Sequence, residues 1–137
     1  CIIHDLGECF TGDIPTFVKT DADRVVEGGE VNMLIGALPE PWPGQLGALF
    51  DEMEALETPE AKLYKALDRM EAIQSHNESA VETWLPLEYE LNLTYGERDA
   101  AFSPYLTQLR AEMRRDTEAM IEEAKGKDHS DLSGCAQ

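Results

Sequence analysis

Apolar residues recur along the chain at intervals of three and four positions, which is the period of a helix with one buried face. A clear example is the run Leu46, Leu49, Phe50, Met53 and Leu56. No segment alternates apolar and polar residues as a half-buried strand does. The pattern therefore predicts an all-α domain of about five or six helices.

Two helix starts carry a sequence signal of their own. Thr58 is followed by Pro59, which suits a capping residue and the first helical position. The helix that begins there is predicted to extend past His76, with its inward face formed by Leu63, Leu67, Met70 and Ile73. Ser103 and Pro104 give the same signal for the last helix.

Other stretches set the limits of the domain. Asp21 to Leu38 is predicted as one helix with a weak centre at Gly28 and Gly29. Residues after Lys125 are small and polar, which is typical of a terminal tail. We therefore expect one domain core over residues 1–125 and a polar tail over residues 126–137.

The chain opens on the apolar residues Cys1, Ile2 and Ile3 and has no initiating Met. This stretch is typical of the interior of a helix, and we expect that helix to end near Phe10 and to be closed by Gly12. The expectation is that an N-terminal part of the natural protein precedes Cys1. The alternative is a chain that simply begins at a domain edge.

The net charge of the chain argues against some classes of binding partner. The chain has 28 acidic and 11 basic residues, a formal net charge of −17. Such a surface repels nucleic-acid backbones and anionic lipids, so we expect neither a nucleic-acid polymer nor a membrane as partner. A small anionic substrate remains compatible with this charge if the site holds a cation.

The cysteine content and the hydropathy bear on location. Three cysteines, at positions 1, 9 and 135, form no paired framework, which favours a reducing, cytoplasmic setting. No apolar run approaches the roughly 20 residues of a membrane span. We therefore expect a cytoplasmic protein.

The first candidate site is His4-Asp5, with Glu8 one helical turn further along. An imidazole nitrogen beside a carboxylate oxygen suits a borderline divalent cation such as Mn²⁺, Fe²⁺, Co²⁺ or Zn²⁺. Glu8 would then be close enough to handle the protons of a water molecule at the metal. The alternative is that His4 serves packing while Asp5 and Glu8 are solvated.

Asp68 and His76 are further candidates on the predicted helix after Pro59. Aspartate is a weak helix former away from the first turn, so Asp68 invites a functional reason, although an ion pair with Lys65 or Arg69 would also explain it. His76 lies about two turns further along on a similar face. It could line the mouth of a pocket, and a surface or packing role is the alternative.

Beyond these local patterns, the chain resembles a known family, the HD-domain hydrolases related to the 5′-deoxynucleotidases and the oxetanocin-phosphate phosphohydrolases. The resemblance is carried by His4-Asp5-Leu6-Gly7-Glu8, by Thr11-Gly12-Asp13-Ile14-Pro15-Thr16-Phe17, by residues 57–71, by His76-Asn77-Glu78 and by residues 83–91. It runs from Cys1 to about Tyr105. It implies an HD-domain helical bundle, here truncated at its N-terminus.

The resemblance also implies a metal centre. The family signature is a first His, then His-Asp, then a distant Asp, all around one divalent metal. On this chain His4 and Asp5 match the central pair and Asp68 matches the last ligand, while the first His is absent. The metal would be Mn, Co, Fe, Mg or Zn.

The remaining implied roles concern the substrate. Glu8 and Asp13 match the family's acidic residues beside the attacking water and the phosphate, so we expect catalytic roles for both. Pro15 and Thr16 match the loop that lines the substrate pocket, and we add His76 as a third substrate-binding candidate.

These roles lead to a functional hypothesis. We expect a metal-dependent phosphohydrolase (a phosphomonoesterase resembling the 5′-nucleotidases) that acts on a small phosphomonoester. The resemblance implies a nucleoside or deoxynucleoside 5′-monophosphate as substrate, and a homodimer. The alternative is a non-catalytic, acidic helical module that binds a partner protein and retains a relic HD site.

Overall fold

The computed structural model describes residues 3–14 and 18–133, with side chains as far as Gly126. Within these ranges all regular structure is helical and no strand is present, so the predicted all-α fold is confirmed. The chain divides into two compact units, Cys1–Ala61 and Lys62–Gln137. The following paragraphs describe each unit by itself.

Among the described residues of the first unit, the complete helices are α1 (Glu8–Thr11), α2 (Asp21–Gly36) and α3 (Trp42–Ala55). Helix α2 packs against both α1 and α3. Gly12 ends α1 with a φ of 77°, a value that glycine adopts without steric cost, so the predicted stop at Gly12 is confirmed. Residues 3–7 form turns, and the predicted helix at the chain start is therefore correct only for its last turn.

Helix α2 has a well-formed N-terminus. The side chain of Thr20 accepts a hydrogen bond from the backbone N–H of Asp23 at 3.3 Å, and Asp23 Oδ2 accepts one from the backbone N–H of Thr20 at 2.8 Å. This reciprocal capping box satisfies two backbone donors that the helix itself cannot pair. The helix then continues through Gly28 and Gly29, as predicted from the sequence.

Close contact with α2 requires a glycine just before α1. A Cβ atom built on Gly7 would lie 2.5 Å from Cγ of Glu27 and 3.0 Å from both the Glu27 carbonyl oxygen and Cγ2 of Val31. Real Cβ atoms do not approach other heavy atoms to 2.5 Å. The backbone at Gly7 is therefore held directly against α2.

The second unit is built around a long C-terminal helix. Its elements are α4 (Pro59–Glu78, whose first turn lies at the boundary of the units), a 3₁₀ turn (Val81–Thr83), α5 (Pro86–Thr94), α6 (Glu97–Ala100) and α7 (Pro104–Ser133). The predicted cap of α4 is confirmed, because Thr58 Oγ1 accepts from the backbone N–H of Ala61 at 3.2 Å. Helix α7 begins at Pro104 as predicted and continues past Lys125 into the stretch predicted as a tail.

One apolar core holds the second unit together, formed by Ala66, Met70, Ile73, Ala100, Leu106 and Met113 with Tyr95 packed against them. The predicted inward face of α4 is correct for Met70 and Ile73 but wrong for Leu63 and Leu67, which are 42% and 41% exposed. The fully buried Ala66 takes their place. A small side chain lets helices approach closely, so size alone does not mark the buried face.

Arg110 fastens the end of α5 to α7. It is only 2% exposed, and its Nε and Nη2 atoms donate hydrogen bonds of 2.7 Å to the carbonyl oxygens of Tyr95 and Asn92. These carbonyls lie at the C-terminal end of α5, where the helix leaves its acceptors unpaired and its dipole favours a cation. Burial lowers the pKa of Arg110 from its usual value.

Candidate active site

The His4 and Asp5 side chains meet in the turn that precedes α1. Nε2 of His4 lies 2.9 Å from Oδ2 of Asp5. The His4 side chain is 22% exposed and that of Asp5 is 57% exposed, so the pair reaches the surface of the first unit. The backbone N–H of Glu8 donates to the Asp5 carbonyl oxygen at 2.9 Å, which connects this turn to α1.

The spacing of the pair permits a test of whether it suits a metal ion. Metal–nitrogen and metal–oxygen distances are about 2.1 Å, so two ligands at right angles on one ion lie about 3 Å apart. The observed 2.9 Å matches this separation. Within the described ranges, however, no group of three or more His, Cys, Asp or Glu side chains is arranged to hold a metal. The 2.9 Å separation is compatible with two neighbouring ligands, but it is also that of a direct hydrogen bond between an imidazole and a carboxylate, and the metal-ligand roles of His4 and Asp5 remain predictions.

Glu8 takes part in a charged cluster that bridges α1 and α2. Nζ of Lys19 lies 3.1 Å from Oε1 of Glu8, and 3.0 and 2.7 Å from the two carboxylate oxygens of Glu27. The three side chains are only 12–19% exposed. One ammonium group is therefore shared between two largely buried carboxylates.

The cluster shifts the proton affinities of its members. Burial raises the pKa of Glu8, and the hydrogen bond from Lys19 opposes this effect only in part, because the negative charges of Asp5 and Asp13 add to it. Burial alone would lower the pKa of Lys19, but hydrogen bonds to Glu27 and Glu8 outweigh it and the net shift is upward. The carboxyl of Glu8 thus binds a proton more readily than an ordinary surface glutamate, because its pKa is raised.

The other candidates of the first unit lie just beyond α1. Asp13 is exposed and directly follows Gly12, the residue that ends the helix. Pro15 and Thr16, predicted to line a substrate pocket, lie outside the described residues. The roles of all three remain predictions.

Asp68 lies in α4, within the second unit. Its Oδ2 atom lies 2.7 Å from Nζ of Lys65, one turn earlier on the same helix, and both side chains are half-buried. Arg69, the other predicted partner, pairs with Asp99 at 2.9 Å. The Lys65 ion pair considered as an alternative therefore exists, and the metal-ligand role of Asp68 remains a prediction.

His76, near the end of α4, is held by its neighbours in the same unit. Its Nδ1 lies 2.9 Å from Oδ1 of Asn92, and its Nε2 lies 3.3 Å from Oε1 of Glu88. The indole of Trp84 lies beside the ring, with 6.0 Å between centroids. Both ring nitrogens thus have oxygen partners, which supports the packing alternative, while the substrate-binding role stays a prediction.

Sequence reasoning missed Lys19 and Glu27, the two residues that contact or complete the surroundings of Glu8. They lie 11 and 19 positions from Glu8, too far for a helical spacing to relate them. The available signal was the scarcity of cations, because Lys19 is the first of only 11 Lys and Arg residues in the chain. None of the helices in the described part of the chain is long and apolar enough to cross a bilayer.

Comparison with known proteins agrees with the helical fold and with the family that the sequence resembles. The family model described as "HD domain" matches residues 1–110. The 5′-deoxynucleotidase HDDC2 of Danio rerio is 34% identical over 85 residues, a match that covers 59% of this chain and 42% of the relative. The chain thus spans less than half the length of that protein. No solved structure gives a significant match. The family match confirms the resemblance found in the sequence, and the chain belongs to the HD domain family.

Proposed function

We propose that this protein is a metal-dependent phosphohydrolase that hydrolyses a small phosphomonoester. The observation that carries the proposal is the 2.9 Å contact between His4 and Asp5, which presents a nitrogen and an oxygen donor together in a member of the HD domain family. The nearby carboxylates of Glu8 and Asp13 and membership of the HD domain family also support the proposal.

Three residues are the proposed ligands of the metal. His4 and Asp5 would hold the cation as neighbouring ligands, and the resemblance adds Asp68 as a third. A divalent cation bound there would supply positive charge that polarises a phosphoryl oxygen and makes a water molecule more acidic. A chain with a net charge of −17 repels a phosphate ester unless such a charge is present.

Glu8 is the residue to which we assign the proton transfer. Its carboxyl is mostly buried and its pKa is raised, so it can accept a proton from the attacking water more readily than an ordinary surface glutamate. As the water oxygen bonds to phosphorus, the phosphorus–oxygen ester bond breaks, and the leaving alcohol oxygen takes up a proton. Asp13, exposed beside α1, would help to orient the water.

The chemistry of the site and the name of the relative together support the proposed substrate class. Phosphoryl transfer depends mainly on positioning and on neutralising charge, both of which a metal and fixed carboxylates supply. Because the relative is named a 5′-deoxynucleotidase, a deoxynucleoside 5′-monophosphate is the first substrate to test. Pro15, Thr16 and His76 are the residues proposed to contact it.

The test is release of inorganic phosphate by the purified full-length protein. Deoxynucleoside and ribonucleoside 5′-monophosphates, their 3′ isomers and an unrelated sugar phosphate would each be supplied with Mn²⁺, Co²⁺ or Mg²⁺. We expect release from 5′-monophosphates that stops on chelation and returns when the metal is restored. Absence of release from every substrate with every metal would refute the proposal.

A further inference from the structure

Lys19 connects the candidate proton-transfer residue to the longest helix of the first unit. Its ammonium group contacts Glu8 on α1 and Glu27 on α2, with distances between 2.7 and 3.1 Å. Building on the proposed function, we infer that Lys19 is a positioning residue that fixes the carboxylate of Glu8, and that Glu27 anchors Lys19.

Helix α1 cannot fix this side chain by itself. It has only four residues, from Glu8 to Thr11, with no buried residue among them, and Gly12 ends it in a backbone conformation outside the helix. A glutamate at the first position of so short a helix has several rotamers open to it, and selecting one rotamer costs conformational entropy. A charged hydrogen bond from Lys19 selects the rotamer that points toward α2.

Helix α2 supplies the fixed end. It spans Asp21–Gly36 and is capped by Thr20 and Asp23, so Glu27 stands in a stable helical segment. Both oxygens of Glu27 contact Lys19, at 3.0 and 2.7 Å, which holds the ammonium group more tightly than the single contact to Glu8 does. The fixed position of Glu27 in α2 thus restricts the ammonium group of Lys19, and Lys19 in turn restricts the side chain of Glu8.

The contact at Gly7 supports this arrangement independently. The backbone of Gly7 is so close to Glu27 that an added Cβ would lie 2.5 Å from Glu27 Cγ and 3.0 Å from its carbonyl oxygen. The residue directly before Glu8 is therefore packed on the residue that anchors Lys19. This contact sets the gap between the two carboxylates, and a single ammonium group fills that gap.

A direct contact between Lys19 and the phosphate ester is the competing role. An ammonium group has three N–H donors and no acceptor. At least two of these donors are engaged by Glu8 and Glu27. A substrate contact would appear mainly as a higher KM, whereas loss of Glu8 positioning would appear as a lower kcat with KM preserved.

The experiment compares four variants of the full-length protein with its metal: Lys19→Met, Lys19→Arg, Glu27→Gln and, as a control on the exposed side of α2, Arg24→Met. For Lys19→Met we expect kcat to fall on the order of 10–100-fold, as misplacement of a catalytic group by about 1 Å does, with KM within about twofold. Lys19→Arg should restore most of kcat because it keeps a cation that can reach both carboxylates. Glu27→Gln should lower kcat in the same direction by a smaller factor, and Arg24→Met should leave it unchanged.

Two measurements besides activity accompany the kinetics. The metal content of Lys19→Met should equal that of the wild type, because Lys19 binds no metal. A crystal structure of this variant should show the Glu8 side chain turned away from α2 or in several rotamers. Glu8 retained in its original position without the ammonium group would overturn the inference.

The kinetic outcomes separate this inference from the proposed function. If the wild-type protein releases no phosphate, the proposed function fails. If the wild type is active while Lys19→Met keeps its kcat, or raises only KM, the positioning role is wrong and the function stands. Should Lys19→Met fold poorly, Glu27→Gln carries the test, and a wild-type kcat in that variant would overturn the inference.

Discussion

Nε2 of His4 lies 2.9 Å from Oδ2 of Asp5, so two consecutive residues bring a nitrogen and an oxygen donor to one point. We predict that His4→Ala and Asp5→Asn each weaken divalent-metal binding by on the order of 100-fold or more, because loss of a ligand should cost at least as much as loss of a group that only orients one. The measurement is metal content after dialysis against Mn²⁺, supported by calorimetric titration.

The control for these variants is Asp51→Asn, a change at an exposed position of α3. It removes one negative charge, as Asp5→Asn does, and should leave metal content unchanged. Equal losses in the control and the two test variants would mean that net charge, rather than ligation, governs metal uptake.

A second prediction separates two roles of Asp68. Asp68→Ala should abolish metal binding and phosphate release, whereas Lys65→Met, which breaks the same 2.7 Å ion pair from its other end, should retain both. An ion pair between partly exposed side chains contributes at most about 1 kcal/mol, so both variants should remain folded. The assays are metal content, phosphate release and thermal melting.

The comparison of Asp68→Ala with Lys65→Met can also contradict the assignment of Asp68. If Asp68→Ala keeps its metal and its activity, the assignment of Asp68 as a ligand is wrong. The contact with Lys65 would then be a sufficient account of an aspartate in the middle of α4.

A third prediction concerns two glycines of the first unit. Gly7→Ala should destabilise the protein by about 1–3 kcal/mol, the usual range for overpacking, because its Cβ would collide with Glu27. Gly29→Ala, in the interior of α2 with nothing within 4 Å of the new atom, should stabilise by about 0.5–1 kcal/mol. Urea unfolding measures both changes.

The essential result is that the free energy of unfolding decreases in Gly7→Ala and increases in Gly29→Ala. A neutral Gly7→Ala would mean that the segment before α1 can move away from α2 at little cost. In that case the spacing between Glu8 and Glu27 would not be fixed by the backbone.

The fourth prediction is a pH dependence of the α2 cap. Hydrogen bonds from the side chain and backbone of Thr20 lower the pKa of Asp23 below its usual value. The stabilisation from a depressed carboxyl pKa is complete above the pKa of the unfolded state and is lost as pH falls through the folded-state value. We therefore expect the N-terminal turn of α2 to loosen only in acid, below the normal titration range of aspartate.

Carbon-13 NMR titration of Asp23 tests this directly. In Thr20→Val the Asp23 pKa should rise toward the ordinary value, while Thr20→Ser should keep it low because the hydroxyl is retained. An identical titration curve in all three proteins would contradict the assigned cause.

The sequence predicted where helices begin better than it predicted which residues are buried. Helix starts were predictable from Thr58, Pro59 and Pro104, because capping depends on a few adjacent residues. The core face of α4 was only half correct, because periodicity selected large residues such as Leu67 whereas close packing buries Ala66.

Long-range polar contacts were beyond prediction from spacing. Lys19 joins residues 11 positions before it and 8 after it across two helices, and no helical or strand period relates such positions. Arg110 is a charged residue inside a strongly charged helix, where a pattern of polarity predicts an exposed side chain, yet it is buried. The His4-Asp5 pair was a candidate because the two residues are adjacent in a stretch, with Glu8 and Gly12-Asp13-Ile14-Pro15, that resembles a known family.

The burial of Arg110 couples the local unfolding of α5 to that of α7. Its guanidinium holds carbonyl oxygens of Asn92 and Tyr95 at the end of α5, so α5 cannot fray at that end while α7 stays in place. Hydrogen exchange of the last backbone amides of α5 should therefore proceed at the rate of a joint opening of both helices rather than at that of a loose nine-residue segment. Replacement of Arg110 by Met would uncouple the two helices, and the last amides of α5 would then exchange faster than those of α7.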